Sequence, residues 1–550
     1  MIKSIKYIFF VAALVCGIGS CKKFDTLLDN PNSPTPQSAD VDLYLNTVQL
    51  NFASFFDQTQ DFGAQLTRMT VFFGPTYQNG YSPNSFDGIW STAYTGVLKN
   101  VNAMIPLAQQ QQKFFHAGIG EVLKAYTLMT LVDMFGDVPY TEANLGNENL
   151  NPKVESGKNI YAAALTLLDA AIADLGKTPA TTPSAILFNN QSRSSWIKIA
   201  NTLKLRAYMN TRLVDNTVGA KIKALVDAGS IITSDADEFT FKYGTQQSTP
   251  NSRHPRYNDN YVASGGAGGY IAVQYLYSMV FEKSVADPRR RYYFYRQTSS
   301  VPSQQQMPCA YQNAPAHFPA EMPFCYLGSG YWGRDHGDNS GIPPDGTLRT
   351  VWGVYPAAGK FDCNDFTQTG LNDGGRGAGI APIWMSFFTE FELAEAALTT
   401  GYTDDARTRF QNGVTKSIKR VMAFPGQVGA TACTASVPTD ATVTKYIDYV
   451  MAQYDAATTT DARLDVVMKE YYLALWGNGL ESYNMYRRTG KPKASINDGT
   501  GLQFTVLPNP GAYIRSFLYP STYVNLNTNA SQKANWATKV FWDVNADPLQ

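Results

Sequence analysis

The chain has 550 residues, of which 13% are aromatic and 16% charged, and its 45 basic side chains balance 45 acidic ones. With no basic stripe interleaved with rings, that balance excludes a phosphate-backbone binder, so no nucleic-acid partner is expected. The 33 tyrosines and the scarcity of charge require a surface of rings and amides, which favours uncharged ligands. No Ser/Gly/Pro-rich linker or charge run divides the chain, and residues 41–550 read as one large domain.

Lys3 and Lys6 precede an apolar run, Tyr7–Val15, that is too short to span a bilayer as a helix and reads as a secretory signal. It closes on Ile18-Gly19-Ser20-Cys21, which resembles the bacterial lipobox, where cleavage exposes a cysteine that is then acylated. Residues 1–20 are therefore read as a lipoprotein signal peptide and Cys21 as the lipidation site. Residues 21–40 become a tether, turn-rich at Asn30–Pro36. No later stretch reads as a transmembrane helix. An exported chain permits disulfides, and Cys309 with Cys325 closes a short loop that one bridge could staple; Cys363 and Cys433 also remain. Metal-type Cys spacing is absent, so no zinc site is expected.

A first helix is predicted from about Asp42 to Phe56, followed by a Gly/Tyr/Asn-rich loop, Phe73–Phe86. Ile89–Leu107 places Trp90, Tyr94, Val97, Val101 and Met104 on one helical face. Glu121–Tyr140 carries apolar residues on several faces, stops at Gly136 and Pro139, and reads as an inner helix of a multi-helix array. Ile160–Leu175 is a stripe closed by Gly176, and its partner opens near Ser194 or Ser195 with Trp196, Ile199, Ala200, Leu203 and Ala207. Pro382 is read as opening a helix through Leu398 to Gly401, with Asp404 capping the next. That unit has the length of a tetratricopeptide-like helix pair, about 34 residues. Such pairs stack into a curved scaffold because none buries its face alone. The helical repeats are expected over about 41–228 and 380–490. Between them, about 230–380, Gly, Pro, Asn and aromatics replace the helical period, and a long irregular insertion is usually functional.

Several stretches, in this order, resemble the SusD/RagB family of outer-membrane nutrient-binding lipoproteins of Bacteroidetes. They are Cys21 followed by KKFDTLLDNPN, FGDVPY at Phe135–Tyr140, WIKIANTLKLRAYMNTRL at Trp196–Leu213 and Ala286-Asp-Pro-Arg289. GYWGRDHGDNSGIPPDG at Gly330–Gly346, FFTEFELAEAAL at Phe387–Leu398 and ALWGNGLESYNMYRRTGKP at Ala474–Pro492 complete the set. The resemblance implies a mostly α fold: a tetratricopeptide-like helical-repeat scaffold covered by a loop-rich half that carries the ligand site. It implies a cell-surface lipoprotein, held in outer-membrane lipid through acylated Cys21, that captures oligosaccharides for a SusC-like TonB-dependent transporter. Alternative roles within the family are an oligopeptide receptor of the RagB type or a structural lid subunit. Lys22 and Lys23 stand where surface lipoproteins of this group carry acidic residues, so display on the cell surface is implied by the family more than by the local signal.

Sugar recognition needs flat apolar platforms for pyranose C–H faces and planar amides, carboxylates or guanidiniums for hydroxyls. Tyr331, Trp332, Arg334 and Asp335, followed by Trp352 and Tyr355, supply that mixture. The competing reading makes Trp332 and Trp352 the core of a loop domain. Tyr77, Asn79, Tyr81 and Asn84 form a second polar–aromatic cluster, whereas Trp90 reads as core. Asp335, Asp338 and Asp345 have oxygen ligands of the kind calcium takes, but not EF-hand spacing; a solvated turn is the favoured reading, and no cofactor is assigned. No enzyme is expected. Glu390 and Glu392 lie about 200° apart on a helix, Glu395 falls nearer the solvent side, and no nucleophile elbow, P-loop or dinucleotide fingerprint occurs. Arg487 and Arg488 are read as charges satisfying a helix C-terminus.

Overall fold

The computed structural model describes residues 40–74, 76–262, 270–301, 303–318, 324–338, 347–493 and 509–546. The signal peptide, Cys21, the Asn30–Pro36 tether and Asp345 lie outside the described residues. The principal helices are α1 (Val41–Leu66), α2 (Lys99–Gln110), α3 (Phe114–Phe135), α4 (Gly157–Gly176), α5 (Arg193–Thr211) and α6 (Val218–Asp227). After α7 (Val273–Val280) in the loop-rich half come α8 (Ser386–Thr399), α9 (Ala406–Gln427), α10 (Asp440–Ala456), α11 (Thr460–Ala474) and α12 (Gly479–Thr489). The strands are short: β1 (Val138–Pro139), β2 (Val154–Glu155), β3 (Phe239–Lys242), β4 (Phe294–Tyr295), β5 (Tyr326–Gly328), β6 (Tyr331–Trp332), β7 (Val351–Trp352) and β8 (Ile380–Trp384). They pair antiparallel as β1–β2, β3–β8, β4–β7 and β5–β6. The architecture is mostly α, with helix pairs α2/α3, α4/α5, α8/α9 and α10/α11 stacked beside an irregular half.

α3 is the axis of the scaffold. Every residue from Phe115 to Phe135 except Lys124 is buried, because α2, α4, α5 and α1 cover it on different sides. Gly136, at φ 76°, ends it by donating its N–H to the Val132 carbonyl at 2.8 Å. α4 is long and apolar enough to cross a bilayer on composition alone. Its Ile160, Ala164, Leu168, Ala171 and Leu175 are instead buried in the contact with α3 and α5. A short helix, Asp87–Ser91, and a π turn, Thr92–Leu98, lead into α2, so the predicted stripe from Trp90 to Met104 is one rod on the core.

Several boundaries differ from the sequence reading. α1 continues past Phe56 to Leu66 because its polar last turns meet α12, and the crossing needs glycine on both sides. A Cβ on Gly63 would stand 2.3 Å from the Gly479 carbonyl oxygen, and one on Gly479 would stand 2.1 Å from the Ala64 nitrogen. α5 is capped by Ser192, whose Oγ accepts the Ser195 N–H at 3.2 Å. Pro382 does not open a helix: it sits inside β8 opposite Thr240 on β3, next to a register irregularity of the kind that tolerates a missing N–H. The cap of α9 is Asp405, which accepts the Arg407 N–H at 3.1 Å, while Asp404 accepts from Arg409 and Tyr402. Disulfides join Cys309 to Cys325 and Cys363 to Cys433.

The helices are tied together by buried charges. Asp133 on α3 accepts from Arg206 Nη2 (2.7 Å), Asn484 Nδ2 (3.0 Å), Trp542 Nε1 (3.1 Å) and the Tyr161 hydroxyl. Arg206 Nε donates onward to Glu481 at 2.5 Å. A parallel set joins Arg488 to Glu392 (2.6 Å) and Glu395 (2.7 Å), and Arg212 to Glu395 (2.9 Å). Glu395 is thus fully buried rather than near solvent, because α8 is covered by α5 and α11 as well as by its partner α9. Arg487 and Arg488 are interior too and do not serve the last carbonyls of their own helix: Arg487 donates to Asn484 and the Arg515 carbonyl, and Arg488 to Glu392, Glu395 and Asn210. Removing a cation from a buried pair strands its carboxylates. Arg206→Met is therefore expected to cost about 3–5 kcal/mol in denaturant unfolding; a loss below about 1 kcal/mol would show that Asp133 and Glu481 are satisfied without it.

Candidate functional site

In the irregular half, three segments weave together where the loop after α1 meets the backbone before α7 and the strand following β6. Thr70 bridges Ile271 in antiparallel sense, and Ala272 bridges Arg334 in parallel sense. Val71 N–H donates to the Tyr270 carbonyl (3.1 Å), Arg334 N–H to that of Ile271 (3.2 Å) and Gly337 N–H to that of Phe72 (3.0 Å). The approach requires Gly333, whose Cβ would stand 2.1 Å from the Ile271 oxygen. This is the physical reason for glycine between Trp332 and Arg334.

The weave sets Phe73, Arg334, Tyr270 and Arg349 in an alternating ladder of rings and guanidiniums. Arg334 stands 5.2 Å from the Phe73 ring centroid and 5.5 Å from that of Tyr270, and Arg349 lies 4.4 Å from Tyr270 on the same ladder. Arg334 is fixed by Asp338, whose one carboxylate oxygen accepts from Nε (3.0 Å) and Nη2 (2.8 Å). Phe73 and Asp338 are half-buried, and Gln78 and Asn79 in the neighbouring turn are exposed. Beneath them the Tyr77 hydroxyl bonds His336 Nε2 at 3.0 Å, and His336 stacks on Phe72. Burial, and then the Arg68 guanidinium, hold the His336 pKa well below the usual imidazole range, so the ring is neutral.

The residues expected to form one aromatic platform divide among separate packing clusters. Tyr331 packs against Phe281 and beneath the Arg296 guanidinium at 4.7 Å. Trp332 is fully buried with Val273, Met307 and Cys325. Trp352 stacks on Trp476 at 4.0 Å between centroids, and Tyr355 stacks on Tyr293 and meets Phe424 edge-on. These four rings, like Tyr270, Arg334 and Arg349 of the ladder, are buried, which is the arrangement of the loop-domain-core reading; Phe73 is the half-buried ring. In the second cluster Tyr77 is buried, Tyr81 is half-buried among Phe62, Phe72 and Phe86 with its hydroxyl on Gln65 (2.7 Å), and Asn79 is exposed. Arg334 alone of the first set joins the ladder. Phe73, Tyr270 and Arg349 were not singled out, although the run Gly265-Gly266-Ala267-Gly268-Gly269 directly before Tyr270 is a composition signal for close backbone approach.

Asp335 and Asp338 do not converge on a calcium site. Asp335 is buried and accepts the Cys325 N–H at 3.0 Å, Asp338 turns to Arg334, and among the described residues no cluster of His, Cys, Asp and Glu has a metal-holding arrangement. Burial, and then the charge of Asp338, push the Asp335 pKa up to about 8. A carboxyl raised above its unfolded value near 3.9 favours the folded state while protonated, and that contribution is lost as pH rises toward 8. Asp335→Asn is expected to flatten this part of the stability–pH curve, gaining on the parent protein between pH 5 and 9 in thermal melts. An unchanged slope would mean that Asp335 is ionised throughout.

The chain belongs to the SusD-like family: the family model described as starch-binding and associating with the outer membrane matches residues 31–329 and 353–519. The segment 330–352, with both guanidiniums of the ladder, falls between the two matched stretches. A SusD/RagB family protein from Bacteroides thetaiotaomicron is similar at TM-score 0.66 with 19% identity, over 93% of this chain and 100% of that one. A SusD homologue from Parabacteroides distasonis gives TM-score 0.66 and 17% identity over 93% and 99%. A chitin-binding SusD homologue from Flavobacterium johnsoniae gives TM-score 0.59 and 17% identity over 91% and 100%. Among curated proteins no sequence match is found.

Proposed function

We propose that this chain is a non-catalytic receptor that binds oligosaccharides and passes them to a SusC-like TonB-dependent transporter, anchored at the cell surface through acylated Cys21. The observation that carries the reading is the half-buried Phe73 ring, backed by buried Arg334, Tyr270 and Arg349, beside exposed Gln78 and Asn79. A ring offers a flat face to pyranose C–H groups, while exposed amides offer donors and acceptors to hydroxyls. The family description names starch and the outer membrane, and one similar structure is of a chitin-binding homologue. These support a glycan over other neutral ligands.

Calorimetric titration of the full chain, held in a sugar-free zwitterionic detergent, against chitin oligomers, malto-oligosaccharides and mixed oligopeptides tests this. Saturable heat with one glycan class is expected, and Phe73→Ala is expected to weaken it about tenfold while leaving Tm unchanged, a loss of about 1.4 kcal/mol. Trp332→Ala is expected to act on stability instead, by about 3–5 kcal/mol. Heat with peptides alone would assign the site to oligopeptides, and full affinity in Phe73→Ala would remove the ladder from it.

A further inference from the structure

Arg68 is a buried cation without a counter-charge. It closes α1 in the left-handed position that glycine usually takes, at φ 61° with its N–H donating to the Gln65 carbonyl at 3.2 Å. Its side chain turns into the interior, at 2% exposure. Nε and Nη1 have no hydrogen-bond partner, and Nη2 reaches the Tyr77 hydroxyl at 3.5 Å, beyond the usual range of such a bond. Arg206, Arg289, Arg334 and Arg488 are as deep, and each holds a carboxylate. Among the described residues none pairs with Arg68. The acids nearest in the chain to its neighbour His336 are engaged, Asp338 with Arg334 and Asp335 with the Cys325 N–H. The last carbonyls of α1 are engaged as well: that of Leu66 accepts from the Tyr513 hydroxyl at 3.3 Å and that of Thr67 from the Tyr472 hydroxyl at 2.7 Å. An unpaired charge is among the most costly things a protein interior can hold, so this position calls for an anion.

The surroundings select which anion. The charge of Arg68 acts on His336, Tyr472 and Tyr513. Burial keeps that imidazole unprotonated and both phenols protonated, so a single positive charge is left to balance. A divalent sulfate or phosphate would replace one uncompensated charge by another. The rings of Phe72, Tyr77, Tyr513 and His336 pack on one another here, and rings present positive edges but few hydrogen-bond donors. That environment suits a weakly hydrated ion of one negative charge. We propose that Arg68 holds a halide-sized monovalent anion, chloride in ordinary media, at Nε and Nη1 beside this ring cluster. Both nitrogens are shut off from solvent, and the anion enters as the four-residue turn Tyr77–Gly80, with its exposed Gln78 and Asn79, opens locally. The site does not depend on which ligand the ladder takes.

Thermal melts of the full chain and of Arg68→Met, in the sugar-free detergent with sodium chloride or sodium gluconate at equal ionic strength, test this. The parent protein is expected to melt about 2 °C or more higher in chloride, because an ion that binds only the folded state stabilises it by mass action. Arg68→Met is expected to lose that difference. In gluconate it is expected to melt at or above the parent, since an apolar side chain replaces an unpaired interior charge. Crystals of the parent protein soaked in sodium bromide are expected to show an anomalous peak against Arg68 Nε and Nη1, a measurement that does not rely on the variant folding. The same chloride response in both proteins would overturn the proposal, as would no response in the parent or an Arg68→Met variant that melts below the parent in gluconate. No bromide peak would overturn it too. A peak without the chloride response would be an adventitious ion only, and Arg68 would not be a site.

Discussion

Buried charge pairing is the constraint on which the rest of this fold depends. Asp133, at zero exposure on α3, takes hydrogen bonds from side chains on α4, α5, α12 and the C-terminal segment around Trp542. The Arg488–Glu392–Glu395–Arg212 set does the same for α5, α8 and α12. A third cluster, Arg289 with Asp287, Glu470 and Tyr446, clamps the loop-rich half to α10 and α11. Taking each ion out of water costs several kcal/mol, and only a close, hydrogen-bonded counter-charge offsets it. Such clusters therefore add little net stability. They penalise every alternative packing of the helices, since any slip leaves an ion unpaired in the interior.

The same clusters explain what the family-like motifs are for. Arg206, Arg212, Asp287, Arg289, Glu392, Glu395, Glu481 and Arg488 all come from those motifs, and all are interior ions or nearly so. The motifs that carry these ions specify the scaffold, whereas the stretch Gly330–Gly346 carries Arg334 and Asp338 of the ladder. This fits a family whose members share a fold at under 20% identity and are described with different polysaccharides, starch for the family and chitin for one homologue.

The sequence was legible wherever burial has a period. The i, i+3, i+4 stripes of α2, α4 and α5 report a helix covered on one side, and they were located to within a turn. α8 breaks that rule: it is covered by α5, α9 and α11, so its charged face is as deep as its apolar one, and Glu395 was assigned to solvent. Pro382 was equally ambiguous, because a proline after an irregular stretch suits a helix start and a bulged strand alike. In the loop-rich half no periodicity separates inside from outside. There Trp352 is buried by Trp476 and Tyr355 by Phe424, partners far along the chain that no local pattern announces. Local composition there names stretches rich in rings and guanidiniums but not which of their side chains pack inward.

The ladder is set by backbone approach: Phe73 is its half-buried outer ring, and Arg334, Tyr270 and Arg349 are buried behind it. Gly333 lets the Arg334 strand lie against Ile271, and this places the guanidinium between Phe73 and Tyr270 before any ligand arrives. Asp338 then holds Arg334 at two hydrogen bonds, so little side-chain freedom is left to lose on binding, and that loss is a principal cost of association. The individual contacts of rings with neutral ligands are modest. At the proposed site a Phe73 ring held rigid from behind loses little freedom when it contributes such a contact. Its rigidity is borrowed from the scaffold through two linked devices: the weave fastens the ladder to the end of α1, and the Gly63–Gly479 crossing fastens α1 to α12 and its ion network. The interior charges and the ladder are in this way parts of one mechanical unit, in which the helices fix the geometry of the irregular half.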